Sequence, residues 1–306
     1  MEPLLLTPGP LTTSRTTKEA MLRDWGSRDA AFAAMNRRVQ QRLVEMAGGE
    51  GTHVAVLLQG SGTFALEAMI GTMVPRAGKL LILINGAYGH RMVQICRVIG
   101  RPQTALEWGE DEAVDPESVV KALARDPAIT HVAIVYCETT SGVLNPLADV
   151  AQVVAAAGRR LLIDAMSAFG ALPLDARQIT FDAMTSSFNK CIEGVPGATF
   201  VICHKAALDA TVGNSHSVVL DLRDQSHFME KTGQWRFTPP THVLAAFDRA
   251  LEEHAAEGGV AGRGARYRRN CYILIEGMRE MGFRPLLADA LQAPIIVTFH
   301  TPADPR

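Results

Sequence analysis

Short, continuous apolar runs recur along the first two thirds of the chain and constrain its fold more than any other feature. Each run predicts a strand that is buried on both faces, as in a parallel sheet covered by helices. Segments with helical periodicity lie between the runs. This alternation predicts an α/β fold with a mostly parallel sheet. The runs are HVAVLL (53–58), KLLILI (79–84), HVAIVYC (131–137), RLLIDAM (160–166), FDAMTSS (181–187) and TFVICH (199–204).

Two of the helical segments begin with a recognisable signal. Asp115 precedes Pro116, and Asn145 precedes Pro146. An Asp or Asn side chain can accept hydrogen bonds from the first free N–H groups of a helix, and proline is tolerated in the first turn. Both pairs therefore predict an N-cap.

The pattern changes after about residue 240. Two longer amphipathic segments predict helices over 241–259 and 265–283, and the run APIIVTFH predicts a strand over 293–300. This is the start of a second, smaller unit. We therefore expect an N-terminal arm (1–15), a large domain (16–250) and an incomplete, small α+β domain (251–306).

The composition excludes several classes of protein. A chain of 306 residues that is 47% hydrophobic and 20% charged can bury a large core. Its net charge of −2 argues against nucleic acid as the main partner. No apolar run approaches the roughly 18 residues that a membrane-spanning helix needs. The 5 cysteines form neither a CxxC pair nor a zinc-ligand spacing. We expect a soluble, cytoplasmic protein without a metal site.

The residues that follow each run are the candidates for a site, because ligands bind at the carboxyl ends of the strands in an open α/β sheet. After the first run, Ser61, Gly62 and Thr63 open a helix, where free N–H groups and the helix dipole favour a phosphate. A capped helix after a tight turn explains these residues equally well. The segment is not a Walker A loop, and no G-x-G-x-x-G of a nicotinamide-binding fold follows the run.

Three further candidates follow later runs. Tyr88 lies between two glycines, where its ring can stack on a flat ligand or pack against its own turn. Thr139 follows the third run. Asp164 lies near the end of the fourth run, and a buried carboxylate there needs a cationic partner or several hydrogen-bond donors. A structural aspartate bonded to loop amides is the alternative.

Lys190 differs from the other lysines of the chain. It lies in a short polar loop between two strand-like runs, at the edge of the sheet where ligands bind. Taken alone, it can equally be a surface lysine. Together with a phosphate seat, an aromatic ring and a buried acid, it indicates pyridoxal 5′-phosphate (PLP). That cofactor needs an amine for its covalent link, an acid for its pyridine nitrogen, a stacking ring and a phosphate cradle.

The segments around these residues resemble those of a known family. The chain resembles the class V pyridoxal-phosphate aminotransferases, which have the type I fold, with a seven-stranded sheet in the large domain. Within that class it is most similar to the 2-aminoethylphosphonate:pyruvate transaminases. The matching segments run through nearly the whole chain in order: LLLTPGPLTTS, DWGSRDAAF, LLQGSGTFALEAM, NGAYGHRM, CETTSGVLNPL, LLIDAMSAFG, SSFNKCIEGVPG, SHSVVLDL, WRFTPPTHVLAAF and EGGVAGRGARYRRN.

The resemblance implies a role for each matching residue. Lys190 forms the covalent link to PLP and moves a proton, and Asp164 pairs with the pyridine nitrogen. Tyr88 stacks on the ring, and Thr139 lies near its 3-hydroxyl. Thr238 reaches the phosphate of the partner subunit in a homodimer with shared sites. The phosphate is otherwise held by Ser61, Gly62, Thr63 and Asn189, and the anionic substrates are contacted near Gly9, Ser27 and Arg28.

The implied reaction moves the amino group of 2-aminoethylphosphonate to pyruvate in a ping-pong scheme, giving phosphonoacetaldehyde and L-alanine. Family members continue beyond the last residue of this sequence, so the resemblance predicts a small domain without its substrate-gripping arginine. Two alternatives stay open. One is another class V aminotransferase that uses alanine, serine or glyoxylate, and the other is a truncated, cofactor-binding protein without activity.

Overall fold

A computed structural model describes residues 4–302; the ends of the predicted arm and small domain, residues 1–3 and 303–306, lie outside the described residues. The strands are β1 (His53–Gln59), β2 (Lys79–Ile84), β3 (Gln103–Glu107), β4 (Ile129–Val135), β5 (Arg160–Asp164), β6 (Ala183–Ser187) and β7 (Ala198–His204). The helices are α1 (Arg15–Glu19), which a 3₁₀ turn (Ala20–Leu22) follows, α2 (Ala30–Met46), α3 (Gly62–Met73), α4 (Ala87–Val98), α5 (Pro116–Arg125), α6 (Leu147–Ala156), α7 (Lys205–Asp209), α8 (Leu222–Thr232), α9 (Thr241–Ala256) and α10 (Gly259–Glu280).

The seven strands form one sheet in the order β1-β7-β6-β5-β4-β2-β3. Strand β7 is antiparallel to both of its neighbours, and the other four pairings are parallel. Only residues 188–197 connect β6 to β7. A parallel neighbour needs a crossover of about a dozen residues or more, so β7 returns antiparallel. The prediction of a mostly parallel α/β sheet is confirmed.

Successive side chains of the strands enter two separate cores. In β1, Ala55 and Leu57 belong to the first core, and Val56 and Leu58 belong to the second. Helices α2, α5, α6 and α9 cover the first core, and α3, α4 and α7 cover the second. Helix α8 contributes Met229 to the first core and Leu222 to the second. The sheet is therefore buried on both faces, which is why its strands read as continuous apolar runs.

Two strand assignments differ between sequence and structure. Strand β3 was not expected, because Gln103–Glu107 is a partly exposed edge strand with polar residues instead of an apolar run. The predicted strand over 293–300 is wrong. This segment makes a single bridge, from Phe299 to Pro285. Its two hydrogen bonds run from the Leu286 N–H to the Thr298 carbonyl (2.8 Å) and from the His300 N–H to the Arg284 carbonyl (2.9 Å), and no second bridge follows among the described residues.

The two predicted helix caps have different outcomes. Asp115 is confirmed as the N-cap of α5, since its carboxylate accepts hydrogen bonds from the N–H groups of Glu117 and Ser118. The prediction for Asn145 is wrong, because Pro146 occupies the cap of α6. The Asn145 side chain is instead buried and makes four hydrogen bonds: two with the Asn85 side chain (2.8 and 3.2 Å), one from the Val114 N–H (3.1 Å) and one to the Val135 carbonyl (2.8 Å).

The C-terminal part contains the two long helices that the sequence predicts. The predicted domain boundary at residue 250 falls inside α9 (Thr241–Ala256), and the division into domains stays a prediction. Among the helices of residues 4–302, none has the length and apolar character needed to cross a membrane.

We expect Asn145→Ala to lower the free energy of unfolding by about 2–4 kcal/mol, because it leaves several buried polar groups without partners. The matched control is Asp115→Ala, which removes one N-cap and should cost about 1 kcal/mol. Urea unfolding followed by circular dichroism measures both values. A cost for Asn145→Ala that does not exceed the control's would contradict this role of the amide.

Candidate active site

The loops at the carboxyl ends of β1, β2, β5 and β6 surround a cavity of about 190 Å³. Eight of the residues predicted from the sequence line it: Gly9, Ser61, Gly62, Thr63, Tyr88, Asp164, Asn189 and Lys190. Four further residues complete the lining: Leu66, Arg91, Met166 and Ser187. The structure therefore brings together most of the predicted site.

The start of α3 is open toward an anion. Ser61 is its N-cap residue, and its side chain makes no capping hydrogen bond. Gly62 leaves room at this end of the helix: a Cβ there would lie 2.6 Å from the end of the Met166 side chain and would require that side chain to shift. The first turn of a helix carries free N–H groups and a partial positive charge. This end of α3 can therefore hold a phosphate, as the sequence predicts.

Asp164 ends β5 and is 1% exposed. One carboxylate oxygen accepts a hydrogen bond from the Met166 N–H at 2.9 Å. Burial raises the pKa of Asp164 to about 6, and the nearby Glu138 acts in the same direction. The Met166 N–H and the positive charges of Lys190 and Arg91 oppose this increase in pKa. The carboxylate is thus costly to bury ionised and is suited to a cationic ligand.

Lys190 lies in the loop between β6 and β7 and is half-buried. Its Nζ is 3.4 Å from the carbonyl oxygen of Pro8. Burial lowers the pKa of the Lys190 amine, although the charge of Asp164 acts in the opposite direction. Gly9 makes this arrangement possible, because a Cβ at that position would lie 2.8 Å from the Lys190 side chain. A lysine with a lowered pKa supplies the neutral amine that a nucleophile needs.

Tyr88 lies in the first turn of α4 and not in the turn that its flanking glycines suggest. The guanidinium of Arg91 is 4.6 Å from the centroid of the Tyr88 ring. Arg91 also lies 3.5 Å from the Thr63 hydroxyl. The sequence interpretation missed Arg91. Its spacing of three residues from Tyr88 on a helix was the available signal, since residues i and i+3 share a face.

The remaining predicted residues take different positions. Asn189 lines the cavity and accepts a hydrogen bond from the hydroxyl of Ser187 (2.6 Å), which the sequence interpretation also missed. Thr139 does not line the cavity: it is buried, and its hydroxyl lies 2.7 Å from that of Ser167. Ser167 borders a second cavity of about 470 Å³, which shares Lys190 with the first.

Thr238, Ser27 and Arg28 lie outside the lining of both cavities. Thr238 is exposed, and its carbonyl accepts a hydrogen bond from the side chain of Gln59. The roles expected for these three residues stay predictions. A larger cavity of about 620 Å³ lies beside α2 and α8 and contains none of the predicted site residues. In the described part of the chain, no group of three His, Cys, Asp or Glu side chains is arranged to hold a metal ion.

The chain matches the family described as "Aminotransferase class-V" over residues 21–303. The chain belongs to the class-V aminotransferases. The family expected from the sequence is thereby confirmed.

Two curated relatives of this class-V aminotransferase are both named as 2-aminoethylphosphonate--pyruvate transaminases. A protein of Burkholderia lata named 2-aminoethylphosphonate--pyruvate transaminase 2 is 59% identical over 305 residues, which are 100% of this chain and 81% of the relative. A Pseudomonas aeruginosa protein named 2-aminoethylphosphonate--pyruvate transaminase is 55% identical over 304 residues, which are 99% of this chain and 82% of the relative.

Solved structures share the fold of this class-V aminotransferase. The ureidoglycine-glyoxylate aminotransferase from Bacillus subtilis has a TM-score of 0.90 at 21% identity, covering 99% of this chain and 79% of its own. The alanine--glyoxylate aminotransferase from Nostoc sp. has a TM-score of 0.89 at 24% identity, covering 99% and 82%. At such identities the likeness concerns the fold, and the predicted fold class is confirmed.

We expect Asp164→Asn to stabilise the cofactor-free protein above pH 6. The pKa of about 6, raised from 3.8, means that the folded protein binds a proton more tightly than the unfolded chain. The free energy of unfolding therefore falls as pH rises from about 4 to about 6, and removing the charge should recover about 1–3 kcal/mol at pH 8. Urea unfolding at pH 4 and pH 8 measures the difference.

The matched control for this experiment is Asp175→Asn. The hydrogen bond from Arg177 lowers the pKa of Asp175, so this carboxylate stabilises the fold above its unfolded pKa, and its removal should destabilise the protein at pH 8. If Asp164→Asn lost stability at pH 8 as the control does, the inferred cost of burying Asp164 ionised would be wrong.

Proposed function

We propose that this class-V aminotransferase uses PLP to move the amino group of 2-aminoethylphosphonate to pyruvate, giving phosphonoacetaldehyde and L-alanine. One observation carries the proposal: Lys190, the buried Asp164 and the open start of α3 line the same cavity. The 55–59% identity to relatives named for this reaction supports the choice of substrates.

The residues of the cavity fit PLP by their chemistry. The free N–H groups of α3, with Ser61 and Thr63, suit the phosphate, and the space left by Gly62 allows its close approach. Asp164 suits a protonated pyridine nitrogen, because a cation beside it removes the cost of burying its charge. Tyr88 supplies an aromatic face on which the cofactor ring can stack. When bound, PLP supplies an electron sink for the carbon that carries the amino group.

The chain's own residues provide binding and proton transfer. Asp164 keeps the pyridine nitrogen protonated, because its buried carboxylate gains a counter-charge by doing so. The Lys190 Nζ takes the proton from the substrate carbon and returns it, a general acid–base role that suits an amine with a lowered pKa. The roles that the resemblance implies for the remaining residues are part of this proposal: Thr139, Asn189, Gly9, Ser27 and Arg28.

The functional unit we infer is a homodimer with shared sites. Phe64, Val219 and Phe237 line one groove beside Thr238 and are 52%, 58% and 45% exposed. Apolar side chains exposed together favour a protein contact. Phe64 lies in the first turn of α3, next to the proposed phosphate seat. A second copy that covers this groove by two-fold symmetry can therefore bring its own Thr238 to that seat.

The amino donor and the cellular location are also part of this proposal. An amino-donor screen distinguishes 2-aminoethylphosphonate from alanine or serine, which another class V enzyme would use with the same cofactor residues. A cytoplasmic location is supported by the free state of all five cysteines, which accords with a reducing compartment.

We expect the purified protein to show a visible absorbance band from lysine-bound cofactor, and 2-aminoethylphosphonate to bleach this band until pyruvate restores it. Borohydride should fix the cofactor on Lys190, because this amine alone borders the cavity among the described lysines. Lys190→Ala should abolish fixation and reduce transamination by several orders of magnitude. The matched control, Lys121→Ala, removes an exposed lysine of α5 and should change neither. Fixation on another lysine would refute the assignment.

We expect sedimentation to give twice the mass of one chain, and Phe237→Glu to give monomers with weakened cofactor binding. Thr238→Ala should leave the dimer intact and weaken cofactor binding by about 1–2 kcal/mol, the scale of a charge-assisted hydrogen bond. The control is Phe228→Glu, which alters an exposed phenylalanine of α8 outside the groove. A fully active monomer would contradict the shared site.

A further inference from the structure

The main chain that follows Lys190 forms a tight turn. The N–H of Glu193 donates a hydrogen bond to the carbonyl of Lys190 at 2.7 Å. One residue further, the N–H of Gly194 donates to the carbonyl of Phe188 at 2.9 Å. The direction of the Lys190 side chain therefore depends on the conformation of residues 190–193.

Glu193 has an unusual backbone conformation in this turn. Its φ is 63°, and within residues 4–302 it is the sole non-glycine residue with a positive φ. Glycine adopts this left-handed region without strain, whereas a glutamate does not. The fold therefore keeps a strained residue at a position where glycine fits better, which points to a use for the side chain.

The Glu193 side chain is bound by residues of α10. One carboxylate oxygen accepts hydrogen bonds from the Arg266 guanidinium at 2.8 Å and from the Tyr267 hydroxyl at 2.9 Å. The guanidinium of Arg263 lies 3.5 Å from the same oxygen. Three side chains of one helix thus converge on the carboxylate three residues after Lys190.

A second carboxylate completes the cluster. Glu257 accepts hydrogen bonds from Arg266 (2.6 Å) and Arg263 (2.7 Å), so two carboxylates face two guanidiniums. The hydrogen bond from Arg266 is the largest cause that lowers the pKa of Glu257 to about 2, so Glu257 is ionised at neutral pH. Arg263 is 2% exposed and also donates to the carbonyl of Cys191, the residue after Lys190.

We propose that Glu193 is a positioning residue for Lys190: held by Arg266 and Tyr267, it fixes the turn that aims the lysine amine. The inference rests on the proposed function. Among the described residues, the one hydrogen bond of the amine is the 3.4 Å bond to the Pro8 carbonyl, so the main chain is the larger influence on its placement. Lys190 borders both the 190 Å³ and the 470 Å³ cavities, and a change in the turn would move the amine from one toward the other.

Three substitutions distinguish the effect of the Glu193 side chain from the effect of its backbone conformation. Glu193→Gly relieves the positive φ and removes the carboxylate. Glu193→Ala removes the carboxylate and keeps the strain. Glu193→Gln keeps an oxygen that can accept from Tyr267 and Arg266 but removes the charge. If the conformation alone matters, the glycine variant should equal or exceed the wild type; if the side chain positions Lys190, glycine and alanine should both fail and glutamine should recover.

We expect Glu193→Gly and Glu193→Ala holoenzymes to lose about tenfold to a hundredfold in kcat, the scale of a small misplacement of a reacting group. The KM for pyruvate should change less than twofold. The visible circular dichroism of the bound cofactor, which needs no turnover, should weaken or change sign. Glu193→Gln should recover most of kcat and the wild-type dichroism. Tyr267→Phe removes one of the hydrogen bonds to Glu193 and should reduce both kcat and the dichroism, but less than Glu193→Gly does.

Glu276→Gln is the matched control, since it removes an exposed ion pair with Arg279 from the same helix and should change neither kcat nor the dichroism. Wild-type values of kcat and dichroism in both Glu193→Gly and Tyr267→Phe would overturn the inference. A wild-type protein without the visible band would refute the proposed function instead, so the two failures are distinguishable.

Discussion

The reversal of the chain between β6 and β7 is the constraint on which the site depends. Because residues 188–197 are too few for a crossover, β7 must return beside β6, and the connecting loop must stay at the carboxyl edge of the sheet. In the next strand over, Asp164 ends β5 and pairs with Thr185 of β6. A lysine in the short loop and an acid at the end of the adjacent strand are therefore brought together by strand order alone.

This arrangement buries the carboxylate of Asp164 with too few hydrogen-bond donors to offset the loss of water. Asp164 receives one hydrogen bond from the Met166 N–H, and its pKa of about 6 records the cost of its charge. A fold selected only for stability would place an amide or an apolar residue there. A protonated pyridine nitrogen would supply the counter-charge that this buried carboxylate lacks. The buried acid therefore supports the proposed cofactor chemistry.

Two parts of the chain that are distant in sequence contact Lys190 and the turn that follows it. The N-terminal segment passes over it at Gly9, where a side chain would collide with the lysine. Helix α10 grips the turn after it through Glu193 and the buried Arg263. Such supporting contacts decide whether a reactive group is also held in the correct orientation. The second copy of the proposed homodimer would cover the exposed Phe64 and Phe237.

The sequence by itself determined the local features. Continuous apolar runs predicted the sheet, and the polar residues after them predicted Asp164 and Lys190, because periodicity and strand ends are encoded in neighbouring residues. The tertiary structure alone decided that β3 is an edge strand, and it placed Arg91, which shares a helix face with Tyr88, at the cavity. It also decided that Glu193 meets Arg266, 73 positions later, instead of lying free on a loop. Contacts of this kind depend on strand order and helix placement, which no local pattern of hydrophobicity or charge specifies.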